Sequence, residues 1–454
     1  MVLAYYVIVG MGPAGLSAAE TIRRHQPSSV IALVTDDAHG YYSRPGLAFV
    51  LTDEVPESQL YPMNRKRWDA LGVQYVRGKA VELLVQERRL VMEDGLHLPY
   101  DALLLATGSA AVPLGVPGSD LDGVLMLDSL ADMRHIMRVA RRAREAVVVG
   151  GGITAIEIVE GLRAQRVHVH YLMRGDRFWR SVLDEAESLL VQERLAREGV
   201  TIHDHTEVVR ILGRRDWLGR QRIAGVETTD GQVIRCQAVG AAIGVRPRLD
   251  LVSGTGIETD RGILVDERLE TSVPGVYAAG DVAQVYDSLT GRAQLDVLWP
   301  VAVAQGRVAG ANMAGVPTEY RRGVPLNVTR LAGLVVTLIG AIGTRGQADA
   351  DLQTISRGDS EVWRGVPNVI VVHDQHEVNR QRLVIQGDHL VGAVLIGDQT
   401  FSPILYQAIQ TRSNIGPYLS ALRAPHANLA HILQQIQDGL EQDGANACTP
   451  RRVP

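Results

Sequence analysis

Two stretches of this sequence combine residue types and spacings suited to holding a dinucleotide. The first is Tyr6-Val-Ile-Val-Gly10-Met-Gly12-Pro13-Ala14-Gly15, followed by a helical pattern through Arg24 and an apolar strand, Val30–Val34. The second is Ala146-Val-Val-Val-Gly150-Gly-Gly152-Ile153-Thr-Ala155, then a helix to about Gln165 and the strand Val167–Met173. Each reads as strand, tight glycine turn, helix, strand. The glycines let backbone approach a pyrophosphate, which then caps a helix N-terminus where amide hydrogens and the helix dipole favour negative charge. Two such units predict two dinucleotides, one bound and one exchangeable.

The residues after each unit refine the chemistry. A ribose-binding acid belongs about 20 residues past the motif. Thr35, Asp36 and Asp37 occupy that stretch after the first unit, and Asp36 is the candidate acid, with a surface turn as the alternative. After the second unit Met173 stands where an acid would bind the free 2′-hydroxyl of NADH, and Arg174 and Arg180 follow. Arginine binds a 2′-phosphate through charge-assisted hydrogen bonds, whereas an acid repels it. This predicts NADPH in preference to NADH, with solvated surface charges as the alternative reading of the two arginines.

These units need a scaffold, and the composition bounds it. The chain has 454 residues, a formal net charge of -5 and 46% hydrophobic residues. At roughly 150 residues per domain that length predicts about three domains. The slight acidic excess argues against a general nucleic-acid binder, which needs basic residues to neutralise phosphates. The two cysteines, Cys236 and Cys448, form no paired or metal-ligating pattern, which excludes a disulfide framework and a thiolate cluster. Cys236 reads as buried packing and Cys448 as part of a polar tail. Lys66 and Lys79 are the only lysines. The N-terminus has no basic start or small-residue cleavage site and runs into the first glycine motif, so it reads as a strand rather than a signal peptide. The longest uncharged apolar run, Leu331–Thr344, is too short for a bilayer span of about 20 residues. A soluble cytoplasmic protein is expected.

Pro113, Gly115, Pro117 and Gly118 read as a linker between the units. An arginine-rich helix carrying Arg134, Arg138, Arg141, Arg142 and Arg144 leads into the second, with a solvated face. Residues 200–243 read as short strands, with Asp230-Gly231 as a hairpin turn. From about Tyr320 the pattern changes to an α+β domain. Its strands fall near Val369–His373, Arg382–Gln386 and His389–Gly397, and its helices at Pro403–Thr411 and His426–Glu441. The last helix is apolar on one face and glutamine-rich and acidic on the other, which suits packing against the body or a partner rather than membrane anchoring. Disorder is expected from about Asp443.

Two further segments, Leu103-Leu-Leu-Ala106-Thr107-Gly108-Ser109 and Thr271-Ser-Val-Pro-Gly-Val-Tyr277-Ala-Ala-Gly280-Asp281-Val282, complete a pattern. In this order and spacing the four motifs resemble the FAD-dependent pyridine nucleotide oxidoreductases over about residues 5–315. The resemblance implies an α/β fold with two Rossmann-like dinucleotide-binding domains, the second inserted in the first, plus a C-terminal α+β domain. The implied bounds are 1–115 with 245–322 for FAD, 116–244 for NAD(P)H, 323–425 for the interface domain, and 426–454 for a helix and flexible tail. It also implies that Asp281 binds the FAD ribityl or pyrophosphate region, that Ala106, Thr107 and Gly108 line the FAD site by backbone contact, and that Thr35, Pro45, Val81 and Gly280 join it.

Tyr42-Ser43-Arg44-Pro45-Gly46-Leu47 is similar to the YxRPxL segment of the nitrite reductase flavoprotein, rubredoxin reductase and ferredoxin reductase branch, to which apoptosis-inducing factor is also similar. Gly392–Asp398 gives a looser match in the third domain. Disulfide-reductase branches carry cysteine in the segment equivalent to residues 41–49. This chain has none there, so a thiol relay through that position is not expected. Many members of the resembled branch pair a lysine after RPxL with a glutamate near flavin N5. Here the lysine position reads Phe49, while Glu157 matches the glutamate, and Arg44 is the candidate replacement for the lost charge. Under the same resemblance a helix starting at Trp299 points its N-terminus at the flavin pyrimidine edge, Trp299 shields the ring or packs in the core, and Gly244 allows close approach of nicotinamide. Arg246 is a site residue or a hinge charge.

The implied function is hydride transfer from NADPH or NADH to FAD, then electron transfer to a rubredoxin- or ferredoxin-type protein or a nitrite reductase partner. The alternatives are a quinone or oxygen reductase, and a redox-sensing flavoprotein whose assembly depends on NAD(P)H. A homo-oligomer, a dimer, is the implied assembly.

Overall fold

The computed structural model describes residues 3–215, 219–287, 291–343, 355–361, 368–424 and 428–447. They form two compact units. The first holds the described residues of Met1–Phe178, Arg194–Arg322 and Ala348–Glu361, and the second those of Trp179–Glu193, Gly323–Gln347 and Val362–Pro454.

The first unit contains two parallel five-stranded sheets of related design. One runs in the order Val276–Ala278, Ala102–Leu105, Tyr5–Val9, Val30–Thr35, Gln74–Arg77. The other runs Thr201–His203, His168–Leu172, Glu145–Val149, Ala238–Ala241, Val124–Leu125. Past its first residue each central strand, Tyr5–Val9 and Glu145–Val149, is a buried, largely apolar run, as expected for sheets covered on both faces. Antiparallel ribbons cover parts of these sheets: Ala80–Leu84 with Arg89–Met92 and His97–Pro99, and Val208–Arg215 with Gln221–Thr228 and Val233–Ile234.

Helix Pro13–His25 packs along helix Trp299–Met313 on one face of the first sheet. Two glycines set that approach. A Cβ at Gly306 would strike the carbonyl of Ala14, and one at Gly310 would lie 2.6 Å from the carbonyl oxygen of Ala18. The two helices therefore touch backbone to backbone, which holds both N-termini at the same end of the sheet.

The second unit is built on an antiparallel sheet, Leu326–Leu331, Leu334–Gly340, His389–Ile396, Asn379–Gln386, Ile370–His376. Helices Ser402–Gln410 and Leu429–Ala447 bury Leu405, Ile409, Ile432 and Leu433 with Leu383, Ile385 and Leu395 of the sheet in one core. Arg382 is nearly fully buried there. It donates to Glu187 Oε1 and to the carbonyl oxygens of Ile342 and Val182, so its charge is both paired and hydrogen-bonded.

Several local expectations shift. The last helix begins at Leu429 rather than His426, and its backbone stays helical through Ala447, past the expected onset of disorder at Asp443. His426 and Cys448 lie outside the described residues. Cys236 sits just before a strand rather than within one. It is fully buried, and burial pushes its thiol up to about 12. Among the described residues no helix is long and apolar enough to cross a membrane.

The helix contact gives a direct test. Gly306→Val forces a branched side chain into the Ala14 backbone, and we expect it to cost about 3 kcal/mol. Chemical denaturation checks this. A variant of unchanged stability would contradict the close approach.

Candidate functional site

The two glycine turns share one construction. Gly10 N–H donates to the Val34 carbonyl and Ala106 N–H to that of Val9. In the second sheet Gly150 N–H donates to the Leu172 carbonyl and Ala242 N–H to that of Val149. Gly10 and Gly150 both have positive φ, +111° and +152°, and a Cβ on either would strike the carbonyl at the end of the neighbouring strand, Ala106 or Ala242. Gly12 and Gly152 are the N-caps of helices Pro13–His25 and Ile153–Ala164, and neither cap has a side-chain hydrogen bond. First-turn amides that lack side-chain partners suit an anion.

The residues present fit two dinucleotides. At Gly12 and Gly151 an added Cβ would meet nothing within 4 Å, so backbone is open to close approach. Thr154 Oγ1 is buried with no hydrogen-bond partner and lies in a pocket with Gly152, Gly244, Val245, Ser356 and Arg357. Helix Trp299–Met313 likewise starts without a side-chain cap at Leu298.

Around the first turn, Pro13, Ala14 and Gly15 form the opening helical turn, and Ala14 and Gly15 are buried. Thr35 is buried at the end of its strand, and Asp36 beyond it is exposed. Asp37 is engaged instead, accepting from the Tyr42 hydroxyl at 2.8 Å and from the His39 amide at 2.9 Å. Pro45 caps the short helix Gly46–Leu51. Val81 is exposed at an irregularity in its strand pairing. Ala106 is buried, Thr107 Oγ1 donates to the Arg248 carbonyl, Gly108 has positive φ, and Gly280 N–H donates to Gln305. Trp299 is half-buried, its ring centroid 6.3 Å from that of Tyr41.

Around the second turn, Ile153 and Ala155 are buried in the helix that Gly152 caps, and Gly244 has φ +126° in the pocket wall. Arg174 and Arg180 are both exposed, but Arg174 belongs to the first unit and Arg180 to the second. Arg246 is exposed on the strand Val245–Pro247.

Between the turns stands a cluster of charge that the sequence reading only partly identified. Asp281 accepts a 2.7 Å hydrogen bond from Ser109. Burial raises its pKa, against the lowering effect of Ser109, Arg357 and Arg44. Asp128 gathers three arginines. Arg357 Nη2 donates to Oδ1 at 2.5 Å, Arg248 Nη2 to Oδ2 at 3.0 Å, and Arg44 Nη1 to the main-chain oxygen at 2.7 Å. Burial opposes ionisation of Asp128, but the three guanidinium groups outweigh it and its pKa falls. Glu157 is pushed up to about 7 by burial, opposed by the charge of Arg357.

This corrects the expected role of Arg44. Arg44 is held by Asp128 and lies over the Tyr42 ring at 5.8 Å, and the arginine whose charge acts on Glu157 is Arg357. Arg357 arrives on a segment anchored by the Val245 amide donating to the Ile355 carbonyl, the Val297 amide to that of Asp359, and Arg261 Nη2 to Glu361 Oε2 at 2.8 Å. Ser356 on the same segment lies against the second glycine turn, its Oγ 2.7 Å from where a Gly152 Cβ would be. Nothing in the run Ser356-Arg-Gly-Asp-Ser360 signals this beyond a turn.

Residues 4–306 match the pyridine nucleotide-disulphide oxidoreductase family, and residues 350–413 match the rubredoxin NAD+ reductase C-terminal domain. The chain is 30% identical over 366 residues to the ferredoxin–NAD(+) reductase component of the biphenyl dioxygenase system of Paraburkholderia xenovorans, covering 80% of this chain and 86% of the relative. It is 26% identical to the nitrite reductase [NAD(P)H] of Bacillus subtilis, covering 90% of this chain but 47% of that longer protein. A ferredoxin reductase from Rhodopseudomonas palustris has the same fold, with a TM-score of 0.82 at 22% identity over 95% of this chain and 99% of that one. The paired glycine turns suit two dinucleotides, and the family match agrees with them. The chain belongs to the pyridine nucleotide-disulphide oxidoreductase family and is an FAD-dependent NAD(P)H oxidoreductase.

The raised carboxyl predicts a pH signature. A Glu157 pKa of about 7, above the ordinary 4.5, means that the folded state holds this proton more tightly than the unfolded chain does. Its contribution is full at low pH and is lost as pH rises through about 7. Glu157→Gln should therefore gain thermal stability relative to the unsubstituted protein as pH rises from about 4 to 8, a range spanning both the ordinary 4.5 and the raised value of about 7. Thermal melts across that range check this, and parallel curves would contradict it.

Proposed function

We propose that the protein oxidises NADPH, in preference to NADH, and passes the electrons through FAD to a small iron–sulfur protein of the rubredoxin or ferredoxin type, or to a nitrite reductase partner. The observation that carries this reading is the pair of equivalent glycine turns with the Asp128, Glu157 and Asp281 cluster between them. FAD when bound supplies hydride acceptance and one-electron release.

The chain's own residues position and tune. Gly10, Gly12 and the first amides of helix Pro13–His25 face the FAD pyrophosphate, and Asp36 suits its ribose. Ala106, Thr107, Gly108, Val81 and Asp281 complete that site, while Trp299 and the start of its helix favour negative charge at the ring edge. Gly150, Gly152, Ile153 and Ala155 hold the nicotinamide nucleotide, and Gly244 lets the nicotinamide approach. Glu157 holds or releases a proton beside it near neutral pH. Arg174 supports the 2′-phosphate, and since Arg180 belongs to the other unit, Arg174 carries the preference.

The acceptor reading is supported by the match to the rubredoxin NAD+ reductase C-terminal domain and by the relative named as a ferredoxin–NAD(+) reductase component. It is also supported by the sequence of residues 41–49, which holds no cysteine for a thiol relay.

Stopped-flow reduction of the bound flavin should be faster with NADPH than with NADH, and Arg174→Ala should reduce that preference by about tenfold, the loss of one charge-assisted contact. Faster reduction of the unsubstituted protein by NADH would overturn the nucleotide assignment. Steady-state NAD(P)H oxidation should be fastest with rubredoxin or ferredoxin across a panel that also holds a quinone and oxygen. A quinone or oxygen leading that panel would replace the acceptor assignment.

A further inference from the structure

The nicotinamide-domain sheet carries a group of side chains with no part in dinucleotide chemistry. Glu145 and His168 are the first residues of adjacent parallel strands and are paired across them, and His170 follows on the same face two residues later. One ligand atom from each of the three lies within 4.8 Å of the other two. Glu145 Oε2 is 2.8 Å from His168 Nδ1 and 3.5 Å from His170 Nε2. Ligand atoms around a tetrahedral zinc ion, with bonds of about 2.0–2.2 Å, stand about 3.3 Å apart, so small side-chain rotations suffice.

We propose that Glu145, His168 and His170 form a binding site for one divalent transition-metal ion of the zinc type. The outward nitrogens strengthen the assignment. A histidine that ligates through one ring nitrogen donates the hydrogen of the other to a fixed partner. His168 Nε2 lies 3.3 Å from Thr201 Oγ1, and His170 Nδ1 lies 3.1 Å from His203 Nε2. Both partners stand on the third strand, Thr201–His203, so the outer contacts are as fixed as the ligands. Binding replaces the present His168–Glu145 hydrogen bond. The His168 ring takes the tautomer with hydrogen on Nε2, and no net proton is released from a neutral imidazole.

The three side chains are partly exposed, so an ion can enter from solvent and keep water in its fourth position. Three ligands on rigid neighbouring strands need little ordering on binding. Glu145 and His168 stand at the strand starts, whereas Gly150–Gly152 follow the strand end. The ion therefore binds away from the nucleotide turn.

The test uses the FAD-loaded full chain, titrated with Zn2+ against a chromophoric chelator at neutral pH. The chain has 13 histidines, so the site is read as the difference between variants. One saturable ion per chain is expected. His168→Ala/His170→Ala should weaken it by at least about 100-fold, and Glu145→Gln, which is nearly isosteric, by about tenfold. NAD(P)H oxidation by the flavin should stay unchanged in both. Retained flavin and unchanged circular dichroism verify folding, and if the double variant fails that check Glu145→Gln alone decides. Equal zinc affinity in the unsubstituted chain and the variants, or no saturable binding, would overturn the proposal.

Discussion

The structure depends on a backbone contact made twice. At Gly10 and at Gly150 the turn out of the first strand presses against the carbonyl that ends its neighbour, Ala106 or Ala242, with no room for a Cβ. That contact brings the strand ends level and starts each helix at the same height. Because helix Trp299–Met313 lies backbone to backbone on helix Pro13–His25, its start is fixed by the same geometry. Three helix starts without a side-chain cap are thereby held in place by backbone contact and by the hydrogen bonds of the strand ends.

The charged cluster follows from where these ends converge. Asp281 comes from the strand region beside the first turn, Glu157 from the helix after the second, and Asp128 from just before the helix Leu130–Ala140. Asp128 repels Asp281, and burial opposes ionisation of all three carboxyls, so arginine must balance them. Arg44, Arg248 and Arg357 do so unequally. Asp128 takes the direct contacts and stays ionised, while Glu157 is left poised near neutrality. A second cation beside Glu157 would shift that balance further toward ionisation.

Much of the scaffold was legible because its signals are local. The glycine turns, the apolar strands and the helix from Trp299 to Met313 each rest on short-range rules of backbone and periodicity. The candidate contacts of Ala106, Gly280 and Asp281 could be named because a four-motif pattern carries them together. What the sequence could not reveal is long-range. Arg357 reaches Asp128 across 229 positions, and a chain pattern has no register for such a pair. Arg44 is the sequence candidate for the charge of the missing lysine, but the fold turns it to Asp128. Glu145, His168, His170 and His203 likewise show their grouping only when three parallel strands set them side by side.

The segment Ile355–Glu361 also bears on how such a protein can be divided. The chain passes between its two units after residues 178, 193, 322, 347 and 361, so neither unit is one continuous stretch. Cutting after Arg322 would remove Ser356 and Arg357 from the first unit, uncover the edge at Val245 and take one arginine from Asp128. A fragment meant to stand for the first unit would therefore have to bring residues 355–361 with it. In evolutionary terms, a new C-terminal domain joined after Arg322 would have to supply an equivalent segment to keep these contacts, so the interlaced connection works as a brake on domain shuffling.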